Sequence, residues 1–385
     1  MSEFRKFQIV IPTVKGREKY LYDAISSVLN QEYPEVEVIV SNNGADPAIK
    51  KCVESFNSKR IIYAETPTQL AMAEHWEFAI SHVTSDFFTI IGDDDALTSS
   101  CMEYVLQALQ LHPNALCITH SPAQYFWPDY IVKEHQNLYI MHGGNTGEIK
   151  EIQTKKIFKK VCEFREHYGS LPFLYHGFVS TNLVRKIQKI EGRIFARIAP
   201  DVYSDLLLAH YLESFVSIDA PLTIGGQGAK SNGANVFKET KEGKIFFNNL
   251  PEFLEPKRPA ASIYLQLFEY IEKIKKQDFS TAISNISWRN FVFRCIQEAV
   301  KSKSKSQVIL QGVKDVLKQH CPIYKQIFFF TIIKLVNTKF TFSFLRYLLE
   351  KNEVRNFYKW DNARADFSAS SIFAVAWAIN KRMKN

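Results

Sequence analysis

Long apolar runs are missing from this chain of 385 residues, and their absence limits where the protein can act. The first residues, MSEFRKFQIVIPT, contain no apolar segment as long as the core of a signal peptide. The most apolar later stretch, Ile327–Ile333, is much shorter than the roughly 20 residues that cross a bilayer. We therefore expect a cytoplasmic protein, which can also lie on the cytoplasmic face of the membrane.

Paired cysteines are missing as well, because none of the six lies at the Cys-x-x-Cys spacing. They are Cys52, Cys101, Cys117, Cys162, Cys295 and Cys321. This pattern predicts neither a zinc site nor a redox motif. Scattered free thiols are typical of a reducing compartment.

Acidic residues are scarce in the second part of the chain. Residues 231–385 hold 26 Lys and Arg against 13 Asp and Glu, whereas residues 1–230 hold 22 against 27. A basic segment of this kind is typical of a surface that meets an anion, either nucleic acid or an anionic membrane. Because no nucleic-acid-binding module is recognisable, we expect no nucleic-acid partner and favour the inner membrane surface.

The first 120 residues alternate regularly between strand and helix patterns. Short apolar runs rich in β-branched residues are separated by segments of helical spacing. The predicted strands are Phe7–Ile11, Val36–Val40, Ile61–Tyr63, Phe87–Ile91 and Ala115–Thr119. This order predicts an α/β fold with a mostly parallel sheet and helices on both faces.

The patterns divide the chain into two domains. Residues 1–233 are predicted to form the α/β domain, regular over 1–120 and less regular over 121–233. After about residue 250 the spacing is helical, so residues 234–385 are predicted to form a basic helical domain. Aromatic residues there, such as Phe328–Phe330, fit a buried helical core, while the excess of Lys and Arg fits a membrane surface.

Polar residues follow several of the predicted strands. Ligands of parallel sheets bind beyond the carboxyl ends of the strands, which places Thr13, Asn42 and Asn43 on one edge together with Asp93–Asp95. Three adjacent carboxylates repel one another unless a positive group binds there. Their oxygen atoms suit Mg²⁺ or Mn²⁺, and the alternative is an acidic surface turn.

Four segments follow one another in a fixed order: Ile9–Thr13, Ile25–Gln31, Val38–Gly44 and Phe88–Asp95. Together they resemble glycosyltransferase family 2, whose members have the GT-A fold. The resemblance covers about the first 120 residues well. It continues more loosely to about residue 233 through Tyr175–Phe178 and Pro200–Ser204, and the helical region lies outside it.

The resemblance implies an inverting enzyme that moves a sugar from a nucleotide-diphosphate donor to an acceptor hydroxyl. The Asp-x-Asp motif of the family falls on Asp93 and Asp95, of which the first approaches the ribose and both serve a Mn²⁺ or Mg²⁺ ion. Residues 1–120 then bind the nucleotide and residues 121–233 the acceptor. The implied donor-binding residues are Pro12, Thr13, Asn42, Asn43, Asp93, Asp94 and Lys230.

Asn42 and Asn43 depart from the family, which often has an acidic pair there to read the nucleotide base. An amide can also pair with uracil or with another base edge, so a UDP-sugar is one candidate donor. The sequence Asn42-Asn43-Gly44 is equally typical of a simple tight turn.

A general base is implied on the acceptor side, where the family has an Asp or Glu at the start of a helix. Asp201 fits this position best, and Asp205 is the next candidate. A positioned base contributes roughly 10²–10⁴-fold to the rate. The alternative is that Asp201 only caps the helix, since Pro-Asp is an ordinary helix start.

Three further residues have both a functional and an ordinary interpretation. His176 is a candidate for acceptor binding or a turn residue. Lys230 lies in the glycine-rich segment 225–233, which we expect to be mobile, and it can close over the diphosphate or stay solvated. Arg17 is interpreted as a solvated helix end, with a phosphate contact as the alternative.

Relatives of this kind usually build bacterial surface polysaccharides. We therefore expect a role in capsule, lipopolysaccharide or exopolysaccharide synthesis, with a saccharide or lipid-linked saccharide as acceptor. One alternative is a degenerate transferase that serves as a scaffold or membrane-surface binding module, and the presence of Asp93, Asp95 and Asp201 argues against it. Another is a sugar nucleotidyltransferase, for which residues 13–17 contain too little glycine.

Overall fold

The computed structural model describes residues 5–141, 145–195, 199–231, 262–275, 286–301, 305–336 and 371–383. The chain divides into two compact units. Unit 1 contains residues Met1–Thr154, Pro172–Leu250 and Ala363–Asn385, and unit 2 contains Lys155–Leu171 and Pro251–Asn362. The domain boundary predicted near residue 233 lies outside the described residues, so it stays a prediction.

An eight-stranded mixed sheet forms the centre of unit 1. Its strands are β1 Phe7–Val14, β2 Val36–Asn43, β3 Ile61–Thr66, β4 Phe87–Ile90, β6 Cys117–His120, β9 Ile149–Gln153, β10 Phe178–Ser180 and β11 Ser214–Ile218. They are ordered β3-β2-β1-β4-β10-β6-β11-β9. The four strands β3, β2, β1 and β4 run parallel, and β10 is inserted antiparallel between β4 and β6.

A second, four-stranded sheet carries the residues that face the end of β4. Its strands are β5 Ala96–Leu97, β7 Ala123–Phe126, β8 Tyr139–Ile140 and β12 Thr223–Gln227, in the order β5-β12-β7-β8. The first residues of the glycine-rich segment, Gly225–Gln227, belong to strand β12, so the expectation of mobility was wrong for them. The described part of this segment ends at Ser231.

Helices cover both faces of the large sheet. They are α1 Glu18–Leu29, α2 Pro47–Glu54, α3 Met72–Ser81, α4 Cys101–Leu111, α6 Thr181–Glu191 and α7 Pro200–Tyr211. Helix α5 Thr154–Cys162 follows β9 in the chain, and from Lys155 onward it belongs to unit 2. One core contains apolar residues of α1, α2 and α4, while α3 contacts β1 and β2 and α6 contacts β10. Residues Ile9–Ile11 and Val38–Val40 have no exposed surface, as expected of parallel strands covered on both sides. The predicted α/β class is confirmed.

Unit 2 is helical, as the spacing after residue 250 predicts. Its helices are α8 Ile263–Lys275, α9 Trp288–Lys301, α10 Ser306–His320 and α11 Ile323–Val336. Aromatic rings fill its interior: Phe291 lies 5.2 Å from Phe268 and 5.1 Å from Phe164, measured between ring centroids. The helix predicted at Phe342–Leu349 lies outside the described residues. No helix in the described part of the chain is long and apolar enough to span a membrane.

The last described helix, α12 Ile372–Met383, belongs to unit 1, which the sequence analysis does not anticipate. Its residues Ile372, Val375 and Ala376 are fully buried in one cluster with Trp127 and Ile224. The helix contacts α1, β5 and β12. It therefore completes the core under the elements that surround the end of β4.

We predict that Val375→Asp destabilises unit 1 by about 3–5 kcal/mol, because it buries an unpaired carboxylate. Ala374→Asp is the matched control, since Ala374 is exposed on the same helix and should change the free energy of unfolding by less than about 0.5 kcal/mol. Urea unfolding monitored by circular dichroism measures both values. If Val375→Asp changed the free energy of unfolding as little as Ala374→Asp does, α12 would not pack on this core.

Candidate active site

Three consecutive aspartates occupy the turn between β4 and β5. Asp93, Asp94 and Asp95 are 4%, 6% and 2% exposed, so this is not an acidic surface turn. Burying three carboxylates is costly unless hydrogen bonds or a positive charge compensate them. The surrounding residues show how each one is compensated.

Asp93 is held by the end of β1 and the start of α1. The Thr13 hydroxyl donates to Asp93 Oδ2 at 2.6 Å, and Arg17 Nε donates to Oδ1 at 2.7 Å. Arg17 Nη2 also pairs with Asp93 and lies 3.0 Å from Asp94 Oδ1. Burial opposes the charge of Arg17, but Asp93 and Asp94 outweigh burial and raise its pKa above the ordinary value. Arg17 is only 9% exposed, so its interpretation as a solvated helix end was wrong.

Asp95 accepts hydrogen bonds from three parts of unit 1. The Gly92 backbone N–H and the Tyr175 hydroxyl donate to Oδ2 at 2.5 and 2.6 Å, and the Gly226 N–H donates to Oδ1 at 2.8 Å. Burial raises the pKa of Asp95, and these hydrogen bonds partly reverse the shift. The predicted metal ligand is thus already positioned by the protein.

Asp94 connects the aspartate turn to the residues that follow β12 and β7. The Ser231 hydroxyl donates to its carboxylate, and Trp127 Nε1 donates to its backbone oxygen at 3.0 Å. Burial raises the pKa of Asp94, while the charge of Arg17 lowers it. Asp94 therefore accepts hydrogen bonds from the protein through both its carboxylate and its backbone oxygen.

Lys230 lies beside Arg17, at the edge of this cluster. Its backbone oxygen accepts from Arg17 Nη1 at 2.6 Å, and its Nζ donates to the Gly16 oxygen at 2.5 Å. The contacts bring a second cation to the edge of the aspartates. A contact of Lys230 with a diphosphate stays a prediction.

Asn42 and Asn43 lie at the end of β2, and both side chains bond within the protein. The Asn42 amide donates to the Asp46 oxygen and the Tyr63 hydroxyl, at 2.9 and 2.8 Å. The Asn43 amide donates to the Leu70 oxygen and accepts from the Leu70 N–H, at 2.9 and 2.7 Å. The two residues shape the rim beside Thr13, while their predicted contact with a base is untested.

The His176 side chain is buried and lies next to Thr223 and Asp95. It has a left-handed backbone (φ 75°), its Nδ1 lies 2.8 Å from the Thr223 hydroxyl, and its Nε2 lies 3.4 Å from Asp95 Oδ2. Burial lowers the pKa of His176 to about 3, so the ring is neutral. The predicted acceptor contact is not tested by this arrangement.

The half-buried Tyr175 lies between the aspartates and the start of α7. Its ring stacks on Trp76, with centroids 5.4 Å apart and planes at 13°. Burial raises the pKa of Tyr175 well above its usual value, and the charges of Asp95 and Asp201 act in the same direction. Tyr175 is thus electrostatically coupled to both carboxylates.

Asp201 is the second residue of α7 and is half-buried, whereas Asp205 is buried. The helix begins after Ala199, so Asp201 is not its N-cap. Burial raises the pKa of Asp201, although backbone N–H groups at the helix start favour its charged form. Asp205 is hydrogen-bonded by the Leu174 N–H and the Ser204 hydroxyl. Of the two candidates for the base, Asp201 is the more accessible.

Sequence reasoning missed Tyr175 and Gly226 as hydrogen-bond donors to Asp95, and it gave a phosphate contact of Arg17 only as an alternative. Arg17 carried a usable signal, because it follows Thr13 on the edge where ligands of parallel sheets bind. Tyr175 and Gly226 are far from the aspartates in sequence. They reach the site through the pairing of β12 with β5 and through a bridge between Tyr175 and Ile90.

We predict that Gly226→Ala disrupts the aspartate turn. A Cβ at this position would lie 1.7 Å from the Asp94 oxygen and 2.8 Å from Trp127 Nε1, so β12 must move and the Gly226–Asp95 hydrogen bond is lost. Gly225→Ala is the control, since its Cβ meets nothing closer than 3.7 Å. We expect the melting temperature to fall by several degrees for Gly226→Ala. Equal melting temperatures for both variants would contradict this close approach.

The aspartate turn lies within the part of the chain that is similar to a known protein family. Residues 8–167 match the family model of glycosyl transferase family 2. Glycosyltransferase GlyG of Streptococcus pneumoniae is 25% identical over 114 residues, which are 29% of this chain and 36% of GlyG. An uncharacterised glycosyltransferase of Haemophilus influenzae is 28% identical over 116 residues, 29% of this chain and 44% of that protein. The aligned part spans less than half of either relative.

Two solved structures are similar at low identity. S. aureus TarS 1–349 in complex with UDP-GlcNAc gives a TM-score of 0.48 at 14% identity, covering 86% of this chain and 91% of that one. Mannosyltransferase PcManGT from Pyrobaculum calidifontis, in complex with GDP-Man and Mn²⁺, gives 0.42 at 10%, covering 93% and 88%. The family match is the similarity that bears on the site: residues 8–167, less than half of this chain, resemble glycosyl transferase family 2 and contain the aspartate turn.

Proposed function

We propose that the chain is an inverting glycosyltransferase that moves a sugar from a nucleoside-diphosphate donor to an acceptor hydroxyl with the help of a divalent cation. One observation carries the proposal. Within the matched residues, three buried aspartates end β4 beside Thr13 and Arg17. This is the edge of a parallel sheet where ligands bind.

The aspartates fit Mn²⁺ or Mg²⁺ by atom type and by charge. Asp93 and Asp95 offer only carboxylate oxygens, and Arg17 compensates one of three negative charges. No three His, Cys, Asp or Glu side chains form a metal site within the described residues. Cations of this kind are often bound by one or two carboxylates and complete their coordination with substrate phosphates. The donor diphosphate is therefore part of the proposed site.

Asp93 and Asp95 would hold the cation, whose charge stabilises the departing nucleoside diphosphate. Arg17 and Lys230 are the protein cations nearest to these carboxylates. A guanidinium binds phosphate as readily as carboxylate, so Arg17 can exchange Asp94 for a donor phosphate oxygen. Pro12 and Thr13, together with the rim made by Asn42 and Asn43, would contact the nucleoside.

Asp201 is the proposed base. It would accept the proton of the acceptor hydroxyl while that oxygen attacks the anomeric carbon and the nucleoside diphosphate leaves. The bond to the leaving group breaks on the face opposite to the attack, so the configuration inverts. Burial raises the pKa of Asp201, which makes its carboxylate a stronger base than an exposed one.

The acceptor is proposed to be a saccharide or a lipid-linked saccharide. The partial alignments with two glycosyltransferases of bacteria support a bacterial setting, and within it the synthesis of a surface polysaccharide is our proposal. His176, which bonds Thr223 and approaches Asp95, would support the acceptor side of the site. A UDP-sugar is the first donor to test, since an Asn amide can pair with uracil.

We predict that UDP or GDP stabilises the protein only together with Mn²⁺. At a ligand concentration 100 times Kd the gain is about 2.7 kcal/mol. Asp95→Asn should remove the Mn²⁺-dependent part of this stabilisation, because it removes one of the two carboxylates that are proposed to hold the cation. Asp46→Asn, on the helix start beyond the rim, is the charge-matched control and should keep it. Differential scanning fluorimetry measures the shifts, and metal-independent stabilisation would contradict the cation.

We predict that Asp201→Asn keeps donor binding and lowers kcat by roughly 10²–10⁴-fold. The base must be ionised, so kcat/KM of the wild type should fall as pH decreases through the pKa of Asp201. Burial raises that pKa, which places the acid limb above the value of about 4 for an ordinary carboxyl group. Release of nucleoside diphosphate in the presence of acceptor measures both effects.

Asp205→Asn serves as the comparison for the base. It removes a buried carboxylate that is bonded to the Leu174 N–H, so it should lower the melting temperature without removing the acid limb. Undiminished turnover in Asp201→Asn would refute the assignment. Loss of the acid limb in Asp205→Asn instead would transfer the role to that residue.

A further inference from the structure

Helix α11 in unit 2 has large apolar side chains on a surface that faces solvent. Ile323, Tyr324, Ile327, Phe328 and Leu335 are 73%, 70%, 65%, 60% and 60% exposed. At about 100° per residue they fall within an arc of about 140° around the helix axis. We call these five residues the α11 face. Large exposed apolar patches mark interaction sites for proteins or membranes.

The opposite side of the same helix is the one that packs. Phe329, Ile333 and Val336 are 6%, 1% and 9% exposed, and they lie within an arc of about 60° opposite the α11 face. The helix contacts α9 and α10. The α11 face is therefore not required for the core of unit 2, and its apolar character needs another explanation.

Basic residues accompany this apolar surface. Residues 286–301 and 305–336 carry eight Lys and Arg but only Glu298 and Asp315 as acids. Glu298 is used internally, since it accepts from the Ser262 hydroxyl and the Ile263 N–H. Lys318 and Lys334 are exposed, and Lys334 lies within the arc of the α11 face. The surface thus combines apolar side chains with positive charge.

We propose that the α11 face binds the surface of an anionic membrane. Anionic lipids offer both complements at once, because acyl chains accept the apolar side chains and headgroup phosphates attract the lysines. Tyr324 is suited to the boundary, with an apolar ring and a polar hydroxyl, and Lys325 lies over its ring at 5.8 Å. A second copy of the chain fits less well, since two basic faces repel each other.

The test is sedimentation of the full chain with vesicles. Vesicles of phosphatidylglycerol and phosphatidylcholine in equal parts should bind the wild type at least tenfold more tightly than pure phosphatidylcholine, and 0.5 M NaCl should weaken this binding. Ile327→Gln/Phe328→Gln should lower the partition coefficient at least tenfold. The matched control is Leu111→Gln/Ile190→Gln, which removes apolar side chains that are 60% and 57% exposed in unit 1 and should leave the coefficient within twofold.

A second pair of variants keeps the test decisive if the first does not fold. Ile323→Gln/Tyr324→Gln alters the first turn of α11 and should have the same effect, and Lys318→Gln/Lys334→Gln should reduce binding to anionic vesicles only. Unchanged vesicle binding in the variants of the α11 face would overturn the proposal. So would a wild-type protein that ignores vesicles, or that forms a dimer lost in the same variants.

Nucleoside-diphosphate binding is measured on the same proteins. The α11 face lies in unit 2 and the aspartate turn in unit 1, so the variants should bind nucleotide as the wild type does. Loss of vesicle binding with intact nucleotide binding supports the membrane surface alone. Absence of nucleotide binding in every protein would count against the proposed transfer reaction and leave the vesicle result to be judged by itself.

Discussion

The pairing of Arg17 with Asp93 and Asp94 is the interaction on which the rest of the site depends. Three carboxylates within one turn repel one another, and burial makes each of them costlier to ionise. A lysine in the place of Arg17 could not reach Asp93, Asp94 and the backbone oxygen of residue 230 with one rigid fork. The guanidinium therefore fixes the end of β1, the end of β4 and the segment after β12 relative to one another.

Backbone N–H groups stabilise the carboxylate of Asp95, whereas Arg17 stabilises those of Asp93 and Asp94. Asp95 takes two N–H groups, from Gly92 and Gly226, and a Cβ at either glycine would come within 3.0 Å of Asp94 or Asp95 atoms. Strand β12 can approach the turn this closely only because residue 226 has no side chain. The acidic character of the site is thus supported by packing as much as by charge.

The sequence predicted the part of the structure that depends on local patterns. The parallel strands, the helices between them and the aspartates at the end of β4 all follow from periodicity and from the position of polar residues after apolar runs. It could not predict β10, three residues long and antiparallel between β4 and β6, because such a short segment is held by its neighbours. Gly225 and Gly226 were interpreted as mobile for a similar reason, since glycine indicates flexibility locally and close approach only in a tertiary context.

The charge on the aspartate turn bears on how the proposed donor would bind. Arg17 offers one positive charge to three aspartates, so an excess of negative charge on Asp93–Asp95 would attract a divalent cation and repel a free diphosphate. A diphosphate that binds together with its cation would not be repelled, because the cation lies between it and the aspartates. Its oxygen atoms could then pair with Arg17 in place of those of Asp94. Neither the carboxylate nor the guanidinium is then left unpaired during the exchange. In the proposed reaction the donor would therefore rearrange the buried pair of Arg17 with Asp94 without leaving either charge unpaired.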